Sequence, residues 1–189
     1  STASLALAIT PVNHAPIGSA DVSNIPEDTT ASGNVLTNDL DVDGDTLSVT
    51  QFVWNGVTTF AGGTATVAGV GSLTVNASGA FSFTPVANYN GPVPTVTYTL
   101  SDGSLTGTSS LAIVISAVND TPVGVADTAT TNEDVAATGN VLANDTDADG
   151  DSLSITQFVW NGVTSTAGSS ATIAGVGTLT VAANGAYSF

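Results

Sequence analysis

The feature that most restricts this chain is an internal repeat. Shifting the 189-residue sequence by 106 positions lays residues 15–83 on 121–189, and 44 of those 69 pairs are identical. Gln51-Phe52-Val53-Trp54-Asn55-Gly56-Val57-Thr58 returns unchanged as Gln157 to Thr164. The same shift lays residues 1–14 on 107–120, so Ser4-Leu5-Ala6 meets Ser110-Leu111-Ala112 and Val12-Asn13 meets Val118-Asn119. Self-similarity at a fixed period means one structural unit used more than once. The alignment predicts three pieces: residues 1–14 as the last strand of a preceding repeat, 15–120 as one complete repeat, and 121–189 as a second repeat cut short before its last two strands. Both ends then fall inside repeats, and the chain reads as a window on a longer array.

Within a repeat the pattern is all β. Leu73-Thr74-Val75, Phe81-Ser82-Phe83 and Val96-Thr97-Tyr98-Thr99-Leu100 alternate with period two, and Leu111-Ala112-Ile113-Val114-Ile115 is a continuous apolar strand. Asn55-Gly56 is a strong hairpin turn, with further turns at Ser78-Gly79 and Asn90-Gly91. No stripe of helical period appears. Strands are predicted near 17–25, 29–37, 46–54, 57–60, 64–68, 72–76, 80–84, 95–101 and 108–118. About seven to nine short strands in about 100 residues is the size of an immunoglobulin-like Greek-key β-sandwich. Trp54, Phe81, Phe83 and Tyr98 are its candidate core; sugar stacking by Trp54 or Trp160 is the less common use of such rings.

Charge narrows the function. The chain has no Lys, Arg or Cys, 16 acidic residues and one His. Without cations it cannot neutralise phosphates, which argues against nucleic acid and anionic membranes as partners. No apolar run is long enough for a membrane span, and the first nine residues lack the cationic region of a signal peptide. Without Lys, Arg or Cys, and with its only His in a linker, the chain is not read as an enzyme. Paired carboxylates could in principle cleave glycosides, but their spacing here is of another kind.

The acids are gathered, not scattered: none lies between Asp45 and Asp102, and none after Asp151. Asp39-Leu40-Asp41-Val42-Asp43-Gly44-Asp45 returns as Asp145-Thr146-Asp147-Ala148-Asp149-Gly150-Asp151. Asp-x-Asp-x-Asp-Gly is the first half of a calcium loop, in which alternate carboxylates converge on a hard cation and glycine permits the turn. The second half of an EF-hand is absent, because Thr50 and Thr156 stand where its bidentate Glu would be. The remaining oxygens must come from elsewhere. The competing reading is a polar Asp-rich turn; two spaced copies favour calcium.

On a sandwich, the 38–45 loop and Asp102-Gly103 are predicted at the end where the N-terminal linker enters. Glu27-Asp28 falls at the opposite end, beside the outgoing Asn119-Asp120-Thr121-Pro122. Glu27 and Asp28 of one repeat are then expected to face Asp145 to Asp151 of the next.

These residues resemble cadherin calcium motifs: a Glu near the end of the first strand (Glu27, Glu133, the latter followed by Asp134), the Val118-Asn119-Asp120-Thr121-Pro122 linker, and the Asp147 and Asp149 loop. The Gly-Asn-Val-Leu-x-Asn-Asp lead-in, Asp-Gly-Asp-x-Leu, and Tyr98 to Gly103 are closer to the cadherin-like or VCBS-type repeats of giant bacterial RTX-type surface adhesins. The resemblance implies tandem cadherin-like sandwiches, secreted to the bacterial surface, that serve as calcium-stiffened spacers in an adhesin or filament, with neighbouring repeats as their partners. The alternative is a ligand- or sugar-binding adhesion module in the same kind of protein. One departure is His14, which stands where the next linker has Asp120; it implies weaker calcium binding there. Residues 1–14 of another copy also match the missing last strand of the second repeat. Head-to-tail contact between copies and a longer continuous chain are thus the two expected ways to complete it, the continuous chain being preferred.

Overall fold

The computed structural model describes residues 4–189; the first three residues of the predicted 1–14 strand lie outside the described ones. Two compact units are present, the first ending at Val118 and the second beginning at Asn119. Among the described residues there is no helix, so none is long and apolar enough to cross a membrane.

The first unit has nine strands: β1 (Asp21–Pro26), β2 (Ala31–Asn34), β3 (Ser48–Trp54), β4 (Val57–Phe60), β5 (Thr64–Val67), β6 (Gly71–Val75), β7 (Ala80–Pro85), β8 (Val96–Ser101) and β9 (Thr106–Ser116). They form a five-stranded sheet, β1-β9-β8-β3-β4, and a four-stranded sheet, β2-β7-β6-β5. All pairings are antiparallel except β1 with β9, which run parallel from Asp21 beside Leu111 to Pro26 beside Ser116. Inward-facing residues of both sheets fill one core around Trp54, Tyr98, Phe52, Phe83 and Leu73. The Asn55-Gly56 hairpin joins β3 to β4 with both residues at positive φ (48° and 78°), the backbone that Asn and Gly tolerate best.

Two expected strands are shorter than the pattern suggests. The first begins at Asp21, and Ile17 makes only an isolated bridge to Leu40. The second stops at Asn34. There the Asn34 side chain accepts the Leu36 N–H at 2.9 Å and donates to Ser78 O at 2.9 Å, while Thr37 Oγ1 donates to Asn34 O at 2.9 Å. These local bonds curl the chain out of the sheet.

Trp54 is fully buried, donates from Nε1 to Pro94 O at 2.9 Å, and meets Phe83 edge to face at 5.8 Å. Its faces are used up in the core, which removes it as a sugar platform. Residues 4–14 form no strand, contrary to expectation; Leu5, Leu7 and Ile9 are 89, 81 and 86% exposed. Their repeat counterparts Leu111, Ile113 and Ile115 are buried in β9 between β1 and β8. Without such neighbours the same pattern has no ladder to join.

The second unit contains β10 (Thr138–Asn140), β11 (Gln157–Trp160), β12 (Val163–Thr166), β13 (Ser170–Ile173), β14 (Gly177–Val181) and β15 (Ala186–Ser188). They form a sheet of order β10-β15-β14-β13 and the hairpin β11-β12. Within the 189 residues there is no second copy of 84–120, and the consequences are local. The counterpart of β1, around 127–132, forms no strand, because β1 is held only by β9. Strand β11 spans four residues where β3 spans seven, keeping the part that pairs with its hairpin partner. Trp160 is half-buried and packs edge to face on Phe189 at 5.6 Å.

Candidate metal centre

The loop before β3 is wrapped around one carboxylate. Asp41 Oδ1 accepts the backbone N–H of Asp43 at 2.9 Å and that of Asp45 at 3.3 Å, and Gly44 N–H reaches Asp41 O at 3.3 Å. Gly44 makes this turn at φ 81°, a conformation that strains residues bearing a Cβ. As a result Asp41, Asp43 and Asp45 each bring one carboxylate oxygen within 4.8 Å of the others. Among the described residues, no other three such side chains converge so closely. Asp43 and Asp45 are exposed, whereas Asp41 is only 7% exposed and its Oδ2 is buried with no hydrogen-bond partner. A buried acceptor without a donor is costly, and a charged one more so. The chain has no Lys or Arg to answer it.

Two further groups join this end of the unit. His14 N–H donates to Asp43 Oδ2 at 2.7 Å, and its Nδ1 lies 3.0 Å from the same oxygen. Asp102 follows β8, whose last residue pairs with the first of β3. Its Oδ1 accepts the N–H groups of Ser104 and Leu105, both at 2.6 Å, and its Oδ2 accepts from Asn13 Nδ2 at 2.8 Å. The His14 N–H, ahead of the imidazole contact, holds the Asp43 carboxyl below its ordinary range, and the charge of Asp102 opposes this. Asp102 is likewise held low, by the Leu105 and Ser104 N–H groups first. Both acids are therefore ready as anionic ligands at neutral pH.

Asp39 does not join the cluster. Its Oδ1 accepts Ser19 N–H at 2.7 Å, and its Oδ2 turns inward to the Tyr98 hydroxyl at 2.9 Å. The Tyr98 hydroxyl also lies 2.8 Å from Val35 O and 3.0 Å from Asp21 Oδ2. One proton cannot serve three acceptors. Burial, with the Asp39 charge adding to it, pushes the Asp21 carboxyl up against the pull of the Tyr98 hydrogen bond, and burial raises the Tyr98 hydroxyl well above its usual range. The sequence reading did not include Asp21, Tyr98 or Asn13 in the site. The available signals were the repeat of Asp21 as Asp127 and of Asn13 as Asn119.

Glu27 sits at the opposite end of the unit. Its backbone N–H reaches Ser116 O at 2.9 Å, extending the β1-β9 pairing, and its Oε1 accepts Val118 N–H at 2.6 Å. Glu27 is 4% exposed, and its Oε2 is buried without a partner. The neighbouring Asp28 turns off at φ 58° and accepts Asn88 N–H at 2.9 Å.

The second unit rebuilds the loop. Asp147 Oδ1 accepts from Asp149 N–H at 3.0 Å and Asp151 N–H at 3.3 Å, and Gly150 turns at φ 77°. Asp120 N–H donates to Asp149 Oδ2 at 2.6 Å, as His14 does to Asp43, and Val125 N–H donates to Asp145 Oδ1 at 2.7 Å, as Ser19 does to Asp39. Here the three carboxylates do not converge as closely. Asn119 Nδ2 donates to Asp120 O at 3.0 Å. Glu133 and Asp134 are exposed, Asp134 repeating the positive φ of Asp28 at 61°.

Residues 13–117 match the model of the bacterial cadherin-like domain, and residues 119–189 match that of the bacterial Ig domain. No curated protein matches the chain. Among solved structures, a nucleoside hydrolase-related protein from Saccharophagus degradans associated with carbohydrate metabolism aligns at 18% identity and TM-score 0.36, over 55% of this chain and 26% of that one. An endo-fucoidan hydrolase of glycoside hydrolase family 107 aligns at 17% identity and TM-score 0.39, over 95% of this chain and 24% of that one. The titin domains z1z2, solved in complex with telethonin, align at 13% identity and TM-score 0.34, over 94% of this chain and 81% of that one. The chain thus spans about a quarter of the length of the first two.

Proposed function

Because the chain belongs to the bacterial cadherin-like domain family, an adhesin-type repeat module typical of extracellular surface proteins, we propose that its repeats are calcium-stiffened spacers in a long bacterial surface adhesin or filament. The observation that carries this reading is the Asp41 carboxylate. It is buried, one oxygen lacks a donor, two more carboxylates bring an oxygen within 4.8 Å, and the chain has no Lys or Arg to pair with it. Calcium takes six to eight oxygens, many more than the loop supplies. Asp102, whose charge reaches Asp43, and the linker residues Asn13 and His14 stand at the same end of the first unit as further donors. Glu27 offers a further oxygen at the other end of the first unit. Val118, whose N–H it holds, stands two residues before Asp120, whose N–H Asp149 holds. In this reading bound calcium makes each repeat of the array stiffer.

The near-identity of the repeats supports a spacer, which needs copies, over a receptor site, which does not. The sugar-binding alternative drew on Trp54 or Trp160; the first ring is fully buried, and the second is half-buried with Phe189 against it.

Thermal melting in calcium and in EGTA tests the binding. With free calcium about a hundredfold above its dissociation constant, the gain is about 2.7 kcal/mol per site, or roughly 10–20 °C for a domain of this size. Superimposable curves would refute it. Small-angle scattering on two complete repeats tests the stiffening: the maximum dimension is expected to be larger and sharply defined in calcium, and a value insensitive to the metal would remove the spacer mechanism even if calcium were bound.

A further inference from the structure

The turn that delivers the first Asp loop is tied to the core by a single hydroxyl. Tyr98 is 1% exposed, and its oxygen reaches Val35 O at 2.8 Å, Asp39 Oδ2 at 2.9 Å and Asp21 Oδ2 at 3.0 Å. Val35 is the first residue after β2, and Asp39 is the first of the acidic loop. The hydroxyl thus holds both ends of the turn 35–39 against β8. Asp39 is gripped from its other side as well, because its Oδ1 accepts Ser19 N–H at 2.7 Å. Beside it Leu40 exchanges both backbone bonds with Ile17, at 2.8 and 2.9 Å. Asp41 follows directly, buried, with its Oδ2 unpartnered.

The second unit provides the comparison. Its loop has the same internal bonds, the same seat for Asp145 on Val125 N–H, and the same bridge, here Val123 with Thr146. The counterpart of β8 is not within the 189 residues, so no equivalent of Tyr98 stands behind Asp145. There Asp147 is half-buried where Asp41 is buried, and the three carboxylates do not converge as closely as Asp41, Asp43 and Asp45. Local bonds form the loop in both units; burial and convergence accompany the hydroxyl.

We propose that Tyr98 is a positioning residue for the first calcium loop: acting through Asp39, it fixes the turn 35–39 so that Asp41, Asp43 and Asp45 stand converged before the ion arrives. The inference rests on the calcium reading of this loop and adds what presets its affinity. Without the hydroxyl, Asp21 and Asp39 face each other with no donor between them, and their like charges push Asp39 away from the core. Val35 O loses the same donor. The turn is then free to move, and the ion must order it on binding. A loop that holds its binding arrangement about one-tenth of the time binds about tenfold more weakly.

The test follows the amide 1H–15N signals of Gly44 and Gly150, one in each loop, as free calcium is raised in chelator buffers. It uses the 189-residue chain, Tyr98→Phe, Asp39→Ala and the double variant, with circular dichroism to check folding. The expected result is a Gly44 midpoint at least tenfold higher in free calcium for each single variant, no further rise in the double variant, and an unmoved Gly150 midpoint. A merely structural tyrosine would lower stability and leave the Gly44 midpoint in place, which would overturn the proposal with the calcium reading intact. Losses that multiply in the double variant would also overturn it, since Asp39 would then contribute independently of Tyr98. Ser19 is exposed, so Ser19→Pro releases Asp39 Oδ1 without touching the core and serves if Tyr98→Phe does not fold. Its Gly44 midpoint is expected to rise as well, and an unchanged one would overturn the proposal. No calcium response at either glycine in the parent chain would overturn both readings.

Discussion

Replacing Glu27 by Gln separates a structural acceptor from a calcium ligand. Glu27 is 4% exposed; Oε1 holds Val118 N–H at 2.6 Å, and Oε2 has no donor. Gln keeps an oxygen for Val118 and removes the charge. In EGTA the effects oppose. Relief of a buried unpaired charge is worth several kcal/mol. Against it stand a weaker bond to Val118 and an unpartnered amide, together of similar size. The metal-free variant is therefore expected within about 1 kcal/mol of the parent. In calcium the outcome differs. If the parent gains about 2.7 kcal/mol at a hundredfold excess over its dissociation constant, a tenfold loss of affinity cuts the gain to about 1.4 kcal/mol. The difference between these increments depends only on calcium affinity, whatever the variant does to the metal-free fold. Urea unfolding in calcium and in EGTA, followed by Trp54 fluorescence in a Trp160→Phe background, measures both increments. Equal calcium increments in parent and variant would show that Glu27 never meets the metal. A loss above about 2 kcal/mol, identical in both buffers, would reduce it to an acceptor for Val118.

Tyr98→Phe removes the one proton shared by Val35 O, Asp39 and Asp21, and is expected to lower stability by about 1.5–3 kcal/mol in a urea melt; a change below about 0.5 kcal/mol would mean the hub is already satisfied without it. Burial raises the folded-state Asp21 carboxyl above its ordinary 3.8, so its stabilising contribution is complete below that value and fades as pH climbs through the folded one; losing the Tyr98 hydrogen bond should move that window upward. Asp102 behaves oppositely: held low by the Leu105 and Ser104 N–H groups, it stabilises above 3.8 and stops doing so as pH falls through its folded value. Asp102→Asn should therefore flatten the acid limb of the stability profile in EGTA, and an unchanged limb would show that the acid loss arises elsewhere.

What the sequence determined by itself is the all-β architecture, nearly every strand of the first unit, and the acidic loops. These are local or periodic properties. Alternation with period two says which residues face a core, Asn55-Gly56 demands positive φ, and Asp-x-Asp-x-Asp-Gly folds around its own first carboxylate through bonds spanning two and four residues. What only the tertiary structure decided depends on partners distant in the chain. Asp39 shares the motif of Asp41, yet it turns away because the Tyr98 hydroxyl, 59 residues on, stands ready to donate to it. Trp54 is a core ring because Phe83 and Pro94 O close over it. Glu27 is poised at Val118 because β1 runs parallel to β9, a pairing that no turn signal announces. The same dependence explains why residues 4–14 and 127–132 carry strand patterns and form no strand. A β-strand satisfies its backbone only through a neighbour, so its sequence states a preference that the surrounding sheet must complete.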